Sequence, residues 1–422
     1  MKLFALVLFL ITYVLLVAIP GKRVYTALIS AAIFLIVGIV TPLEAWSAIN
    51  WNVLLMIAGT MITVVYFIDS KMPDRIADLL LQKAPNVMWV IIFMSLFSGV
   101  VSAFMDNVAT VLMLAPVGLS VAKKLKISPV PMLVCISVSS NLQGAATLVG
   151  DTTSIMLGGY AGMDFTDFFW MLGKPGIFWA VELGAIGTVF VMMYLFRKEK
   201  QKVDAGKLTE VKDYVPSYLL LGTVLALIFA SFFQGKPALT NGIICMIFAL
   251  IGAIYTWIKD RSPEEAKHAL AGVDFETLGL LLGLFIVIEG LTQAGIVNDI
   301  ANLIVKLGGD NLFVLYTLIV WLSVAASAFI DNIPYVATML PVVAGVASIL
   351  GTSPYLLFFG LLTGATLGGN ITPIGASANI TMLGILKKEG YEVKAGEFMK
   401  ISVPFTLVAV VAGYVFLWLV WA

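Results

Sequence analysis

One stretch of this chain occurs twice. Residues 102–117 read SAFMDNVATVLMLAPV, and residues 327–342 read SAFIDNIPYVATMLPV. Each sets an Asp-Asn pair, Asp106-Asn107 or Asp331-Asn332, inside an otherwise apolar run that closes on Pro116 or Pro341. The pairs stand 225 residues apart and align without a gap. A carboxylate deep in an apolar run is costly in lipid and by default marks a functional site. Two at one spacing mean a duplicated unit with a shared centre.

The surrounding sequence is that of a membrane protein. Of 422 residues, 60% are hydrophobic and 12% charged, where a soluble domain is about half apolar and a quarter charged. The net charge is zero, so nothing draws the chain toward nucleic acid. Cys135 and Cys245 lie in apolar segments and the sole histidine, His268, in a charged loop. That usage implies neither a disulfide nor a metal cluster, and it excludes a histidine metal site.

A spanning helix needs about 20 apolar residues. Candidates are 3–19, 24–40, 49–68, a long region 87–122, then 129–159 and 176–196; after a charged loop, 197–215, come 217–233, 239–258, 273–292, a long region 311–350, 355–386 and 401–421. Segment 3–19 lacks a convincing cleavage site and is kept as a helix. The halves also align elsewhere. Trp51 and Gly59 match Phe275 and Gly283, and IADLLLQKAPN (76–86) matches IANLIVKLGGDN (300–311) with one insertion. Those short polar stretches read as amphipathic helices lying at the interface.

The long regions could each cross twice, but Asp-Asn near the middle favours a re-entrant hairpin turning at that pair. Segments 129–159 and 355–386 contain SSNLQGAATLVGDTTS and TGATLGGNITPIGASANIT. Glycine costs about 1 kcal/mol in a helix interior and proline about 3. Gly144 and Gly150, and more strongly Gly368, Gly369, Pro373 and Gly375, therefore predict discontinuous helices. Thr147 with Thr372 and Gly150 with Gly375 repeat the 225-residue offset. Broken helices are the best sequence pointers to a transporter's binding site.

Each half then holds five crossings and a hairpin, an odd count that inverts the second half relative to the first. With the N-terminus outside, all but four of the 25 basic residues (Lys2, Lys174, Lys236 and Lys306) fall in inside loops, as the positive-inside rule requires. The predicted fold is an all-α polytopic membrane protein. It consists of two inverted repeats, 1–196 and 216–422, joined by a cytoplasmic linker, 197–215.

The acids within predicted spans are Asp106, Asp151, Glu182, Glu289 and Asp331, with no lysine or arginine at matching depth. Such a group can carry a proton or release it to bind a cation. For Asp106 and Asp331 the competing role is a helix N-cap, although capping and ligation can coexist. Glu182 and Glu289 lack a repeat partner and read as snorkelling side chains or structural hydrogen bonders. Asp151, whose counterpart is Ala376, follows the helix-break glycine and reads as functional. The candidate site is Asp106, Asn107, Asn141, Thr147, Gly150, Asp151, Asp331, Asn332, Asn370, Thr372, Gly375, Ser377 and Asn379. A sodium ion would sit near Asp106, Asn107, Asp331 and Asn332.

The motifs SAFMDNVATVLMLAPV, GAATLVGD, SAFIDNIPYVATML and GGNITPIGASAN together resemble the ArsB/NhaD permease group of the ion transporter superfamily. That group includes arsenite-efflux permeases, the melanosomal P protein and sodium/proton antiporters. It is distantly similar to the divalent-anion/sodium symporters. The resemblance implies re-entrant hairpins, unwound helices and a homodimer. Two features depart from it. Thr152-Thr153-Ser154 stands where many relatives resemble Pro-Pro-Asn, and aspartate replaces the serine of the carboxylate symporters' hairpin tips. Negative tips disfavour a polyanionic substrate.

The sequence therefore predicts a non-enzymatic secondary transporter of the plasma membrane. It would move a small inorganic ion or neutral oxyacid coupled to a proton or sodium gradient, with no other cofactor. A sodium-coupled anion or carboxylate symporter is the alternative. No nucleotide-binding motif is present to power a pump. An intramembrane aspartyl protease would want Gly-x-Gly-Asp, but Leu148 occupies the first glycine position. A passive channel also remains compatible with broken helices.

Overall fold

The computed structural model describes residues 1–203, 208–260 and 264–422. Part of the 197–215 linker, and Lys207 and Arg261 among the inside basic residues, lie outside the described residues. The first half carries α1 (Lys2–Ala18), α2 (Arg23–Ile36), α3 (Pro42–Ala48), α4 (Trp51–Asp69), α5 (Met72–Lys83), α6 (Val87–Ser102), α7 (Asn107–Leu125), α8 (Val130–Gly144), α9 (Thr152–Ala161) and α10 (Ile177–Leu195). The second carries α11 (Val215–Ser231), α12 (Thr240–Asp260), α13 (Glu264–Ala271), α14 (Phe275–Gln293), α15 (Ile296–Gly308), α16 (Leu312–Ser327), α17 (Asn332–Leu350), α18 (Tyr355–Gly368), α19 (Ser377–Lys388) and α20 (Ala395–Trp421). Among the described residues, seven helices are long and apolar enough to cross a membrane.

The all-α expectation holds except for one two-residue strand pair, β1 (Trp170–Met171) with β2 (Lys174–Pro175). It turns through Leu172 and Gly173 at φ 51° and 75°, the left-handed pair that tight hairpins require. Both long regions and both broken segments divide where Asp-Asn and the glycines predict. The short polar stretches form α5 and α15, and α15 meets α16 at 117°, so that pair cannot be one straight span.

The two halves repeat each other in local detail. Asn86 and Asn311 each cap the helix that leads to a tip, α6 or α16. The residue before α5 and the residue before α15, Lys71 and Gly295, are both left-handed (φ 65° and 72°). So are those ending α7 and α17, Lys126 and Gly351 (φ 55° and 63°). The first half thus places lysine where the second uses glycine, the residue suited to that conformation.

The halves interlock by close glycine crossings. A Cβ on Gly59 of α4 would lie 2.5 Å from the Cys245 carbonyl carbon of α12, and one on Gly283 of α14 would lie 2.7 Å from that of Ala27 of α2. The third long helix of each half therefore crosses the second long helix of the other. Beyond this frame, α7 packs on α19 and α17 on α9, so each tip helix also meets the other half's broken segment. An ion pair, Lys236 Nζ to Asp164 Oδ1 at 2.5 Å, ties the α11–α12 loop to the segment after α9.

Candidate functional site

The chain between α8 and α9, and between α18 and α19, gives up helical geometry because the tips pack there. The Gly150 position faces the carbonyl oxygens of Gly144, Ser102 and Ala103, which a Cβ would approach to 2.7, 3.0 and 3.1 Å. The Gly375 position faces those of Gly369, Ser327 and Ala328, at 2.6, 2.7 and 2.9 Å. Thr147 donates to the Ala103 carbonyl and Thr372 to the Ala328 carbonyl. Every partner in one set is its counterpart's number plus 225. These threonines and glycines fasten each tip to its own broken segment, so both threonine hydroxyls are committed to protein carbonyls.

The asparagines form a buried ladder between the halves. Asn107 Nδ2 donates to Asn141 Oδ1 at 2.7 Å, and Asn141 Nδ2 donates to Asn370 Oδ1 at 2.7 Å. Asn370 Nδ2 donates to the Val138 carbonyl, and Asn379 Nδ2 to those of Gly369 and Thr372. Ser137, absent from the sequence-based set, donates to Asn379 Oδ1 at 2.7 Å. Buried amides must be paired, and this ladder pairs them while joining α8 to the second broken segment.

The three aspartates each start a helix. Asp106 Oδ1 accepts from the N–H groups of Val108 and Ala109 at 2.9 and 3.1 Å. Asp331 Oδ1 accepts from Ile333 N at 3.1 Å, and Asp151 Oδ1 from Thr152 N at 2.7 Å. The capping role is real at all three, yet it occupies one oxygen of each. Asp151 Oδ2 accepts from Thr153 Oγ1 at 3.1 Å and from Asn332 Nδ2 at 3.4 Å. Asp106 Oδ2 accepts from none of the described residues. An opening of about 10 Å³, room for one water or small ion, lies between Thr60 and Met61 of α4 and Asp106, Asp151 and Thr152. Asp331 is tied to the same place through the next residue, Asn332, whose Nδ2 reaches Asp151.

One expectation is overturned. Asp331 has a basic partner: Arg23 Nη1 lies 3.0 Å from its Oδ2, with Asp331 only 4% exposed. Ser377 Oγ donates to the same oxygen at 2.7 Å. Arg23 starts α2 and reads from sequence as an inside-loop charge. A long flexible side chain and the packing of both α2 and α17 against α14 bring it to the acid, and nothing in the sequence signals that approach. Tyr13 was missed likewise. Its hydroxyl donates to the Pro334 carbonyl at 2.6 Å and also meets Thr338. Of the two half-specific acids, Glu289 has a local partner: its Oε1 accepts from Gln293 Nε2 at 2.7 Å.

Among families of known proteins, the model described as citrate transporter, CitMHS, matches residues 13–359. The chain belongs to the citrate transporter family. An uncharacterized transporter of Mycobacterium tuberculosis is 33% identical over 432 residues, covering 99% of this chain and 98% of the relative. The P protein of Mus musculus is 27% identical over 87% of this chain and 54% of its own length. The solved YdaH transporter of Alcanivorax borkumensis superposes with a TM-score of 0.61 at 14% identity, covering 88% of this chain and 85% of that one. That likeness concerns the fold alone. The citrate transporter family member described here is a multi-pass membrane transport protein and not an enzyme, which removes the protease alternative. The motif resemblance reaches the P protein; placement within ArsB/NhaD remains a resemblance.

Proposed function

We propose that this protein is a secondary active transporter that moves a small inorganic ion or neutral oxyacid across the plasma membrane, coupled to a proton or sodium gradient. The observation that carries this is a charge imbalance. Asp106, Asp151 and Asp331 converge where the two tips meet the two broken helices, and Arg23 answers only one of them. The remaining pair, Asp106 and Asp151, flanks the small opening on α4. A cation held there would answer a charge that the protein leaves uncompensated, because carboxylates in low dielectric require a proton or counter-ion. Of the four helices starting at the site, only α19 begins on a residue, Ala376, that gives no side-chain cap. Its first N–H groups suit the oxygens of an oxyacid.

In this reading the halves are inversely oriented repeats with both termini outside. Hairpins 87–122 and 311–350 enter from opposite faces, and the molecule pairs as a homodimer. The location of the basic residues and the offset-matched bonds at Gly150 and Gly375 support the first two statements, and the family resemblance supports the third. A second reading, a cation-coupled carboxylate symporter, is favoured by the family's description as citrate transporters. There the aspartates would hold the accompanying cations.

Flux into proteoliposomes, measured with a panel of ions, oxyacids and carboxylates against imposed pH and sodium gradients, tests both. Saturable, gradient-driven flux lost in Asp106→Asn and Asp151→Asn is expected. Wild-type coupled flux in both variants would overturn the site assignment.

A further inference from the structure

Two clefts flank the α4/α14 pair, and the repeat maps one onto the other. The first, of about 230 Å³, follows the C-terminal half of α4 to Ile68, meets Leu112 of α7 and the residues just ahead of α14, and reaches Asp106. The second, of about 290 Å³, follows the C-terminal half of α14 to Thr292 and meets Ala337 of α17 and the residues just ahead of α4. Because each cleft is lined by one helix's end and the other's beginning, they lie at opposite ends of a pair about 28 Å long.

The linings correspond position by position. Met61 maps onto Phe285, Val64 onto Ile288, Ile68 onto Thr292 and Leu112 onto Ala337. Two positions depart in charge: Val65 in the first cleft is Glu289 in the second, and Asp274 in the first is Asn50 in the second. The first cleft already holds two acids, Asp106 on its tip and Asp274 just ahead of α14. The second carries Asp331 beyond its lining, at the start of α17, where Arg23 answers it.

Glu289 is half-buried between apolar walls, and no lysine or arginine lines the cleft. The polar groups facing it are Asn50, Tyr160 and Thr292, of which only Tyr160 titrates. Asn50 is committed elsewhere, donating to the Gly159 carbonyl and capping Val53 N. Gln293 holds one carboxylate oxygen of Glu289 and leaves the other without a partner among the described residues.

We propose that this second cleft is the port on the membrane face opposite the Asp106 cleft, and that Glu289 is a binding site for a monovalent cation entering there. The proposal rests on the transporter reading above. Ala337 and Pro341 of the lining lie on α17, the helix that starts at Asp331. A cation captured at Glu289 is therefore carried along that helix toward the tip. The repeat supplies the second mouth, and Glu289 supplies the charge that the paired Asp331 does not offer.

The test uses the full chain in oriented proteoliposomes, with proton flux and radioactive sodium flux followed separately. Glu289→Gln removes a charge-assisted contact and is expected to raise the half-saturating cation concentration by about tenfold or more. The increase should occur only for the cation supplied on the Glu289 face, with the opposite face within twofold. Glu289→Asp, which keeps the charge, should restore most of the affinity. Gln293→Ala, at an exposed residue, should shift half-saturation in the same direction even if Glu289→Gln fails to fold. The cation whose curve moves identifies proton or sodium. Equal curves for wild type and both substituted forms would overturn the proposal, as would a loss of rate with no face-specific shift. Neither result bears on Asp106→Asn, whose full activity would instead refute the underlying site.

Discussion

Three aspartates share one local task, starting a helix, and differ in what else surrounds them. Asp106 and Asp331 occupy repeat-matched positions, yet only Asp331 is paired with Arg23. Removing one partner of a buried pair strands the other, which costs about 1–3 kcal/mol for the unsatisfied group. Asp331→Asn should therefore lower thermal stability in detergent by that order, whereas Asp106→Asn should leave it near wild type. The Arg23→Gln/Asp331→Asn double variant should regain most of the loss, and equal melting of the two single variants would contradict this account. A second asymmetry is backbone strain. Lys126 is exposed and left-handed where its counterpart is Gly351. Lys126→Gly should stabilise the protein by about 0.5–1 kcal/mol, since glycine adopts that conformation without penalty; a drop in melting temperature would argue against it.

The broken helices are the elements on which the site depends. Each break accepts a tip's carbonyls in the space a Cβ would fill, and the approach is closer at Gly375 than at Gly150. Gly375→Ala should displace the second tip, reducing flux severely and costing about 1–3 kcal/mol by overpacking. Gly150→Ala should show the milder form of both effects. Thermal melting and flux measured on the same preparations would check the order, and a fully active Gly375→Ala would mean the break tolerates a shifted tip.

At the scale of the whole molecule, the halves exchange partners, α4 with α12 and α14 with α2, so neither half is an independent body. The proposed orientation in the membrane rests on the basic residues of the loops. Thr209 is a poor reporter of it, because its N–H and hydroxyl both donate to Asp78 Oδ2, at 2.8 and 2.6 Å. Glu210 is exposed beside it, and Leu172 is exposed in the β1–β2 turn. In intact cells an impermeant thiol reagent should label Leu172→Cys and spare Glu210→Cys. The fully buried Cys135 and Cys245 should give little background. The opposite pattern would reverse the topology.

Periodicity, glycine and proline placement and the 225-residue offset determined the segments, the tips and the helix breaks, because these depend on backbone cost and local burial. Gly150, Gly375, Thr147 and Thr372 were legible for the same reason: a local irregularity that occurs twice needs a shared structural cause. Only the tertiary structure decided that Arg23 answers Asp331, that Tyr13 holds Pro334, that Ser137 completes the asparagine ladder, and that Glu289 lies in a cleft matched to that of Asp106. Each is a contact between elements distant in sequence, made by side-chain reach and helix packing. A single chain's residue pattern carries no mark of which distant surfaces will face each other.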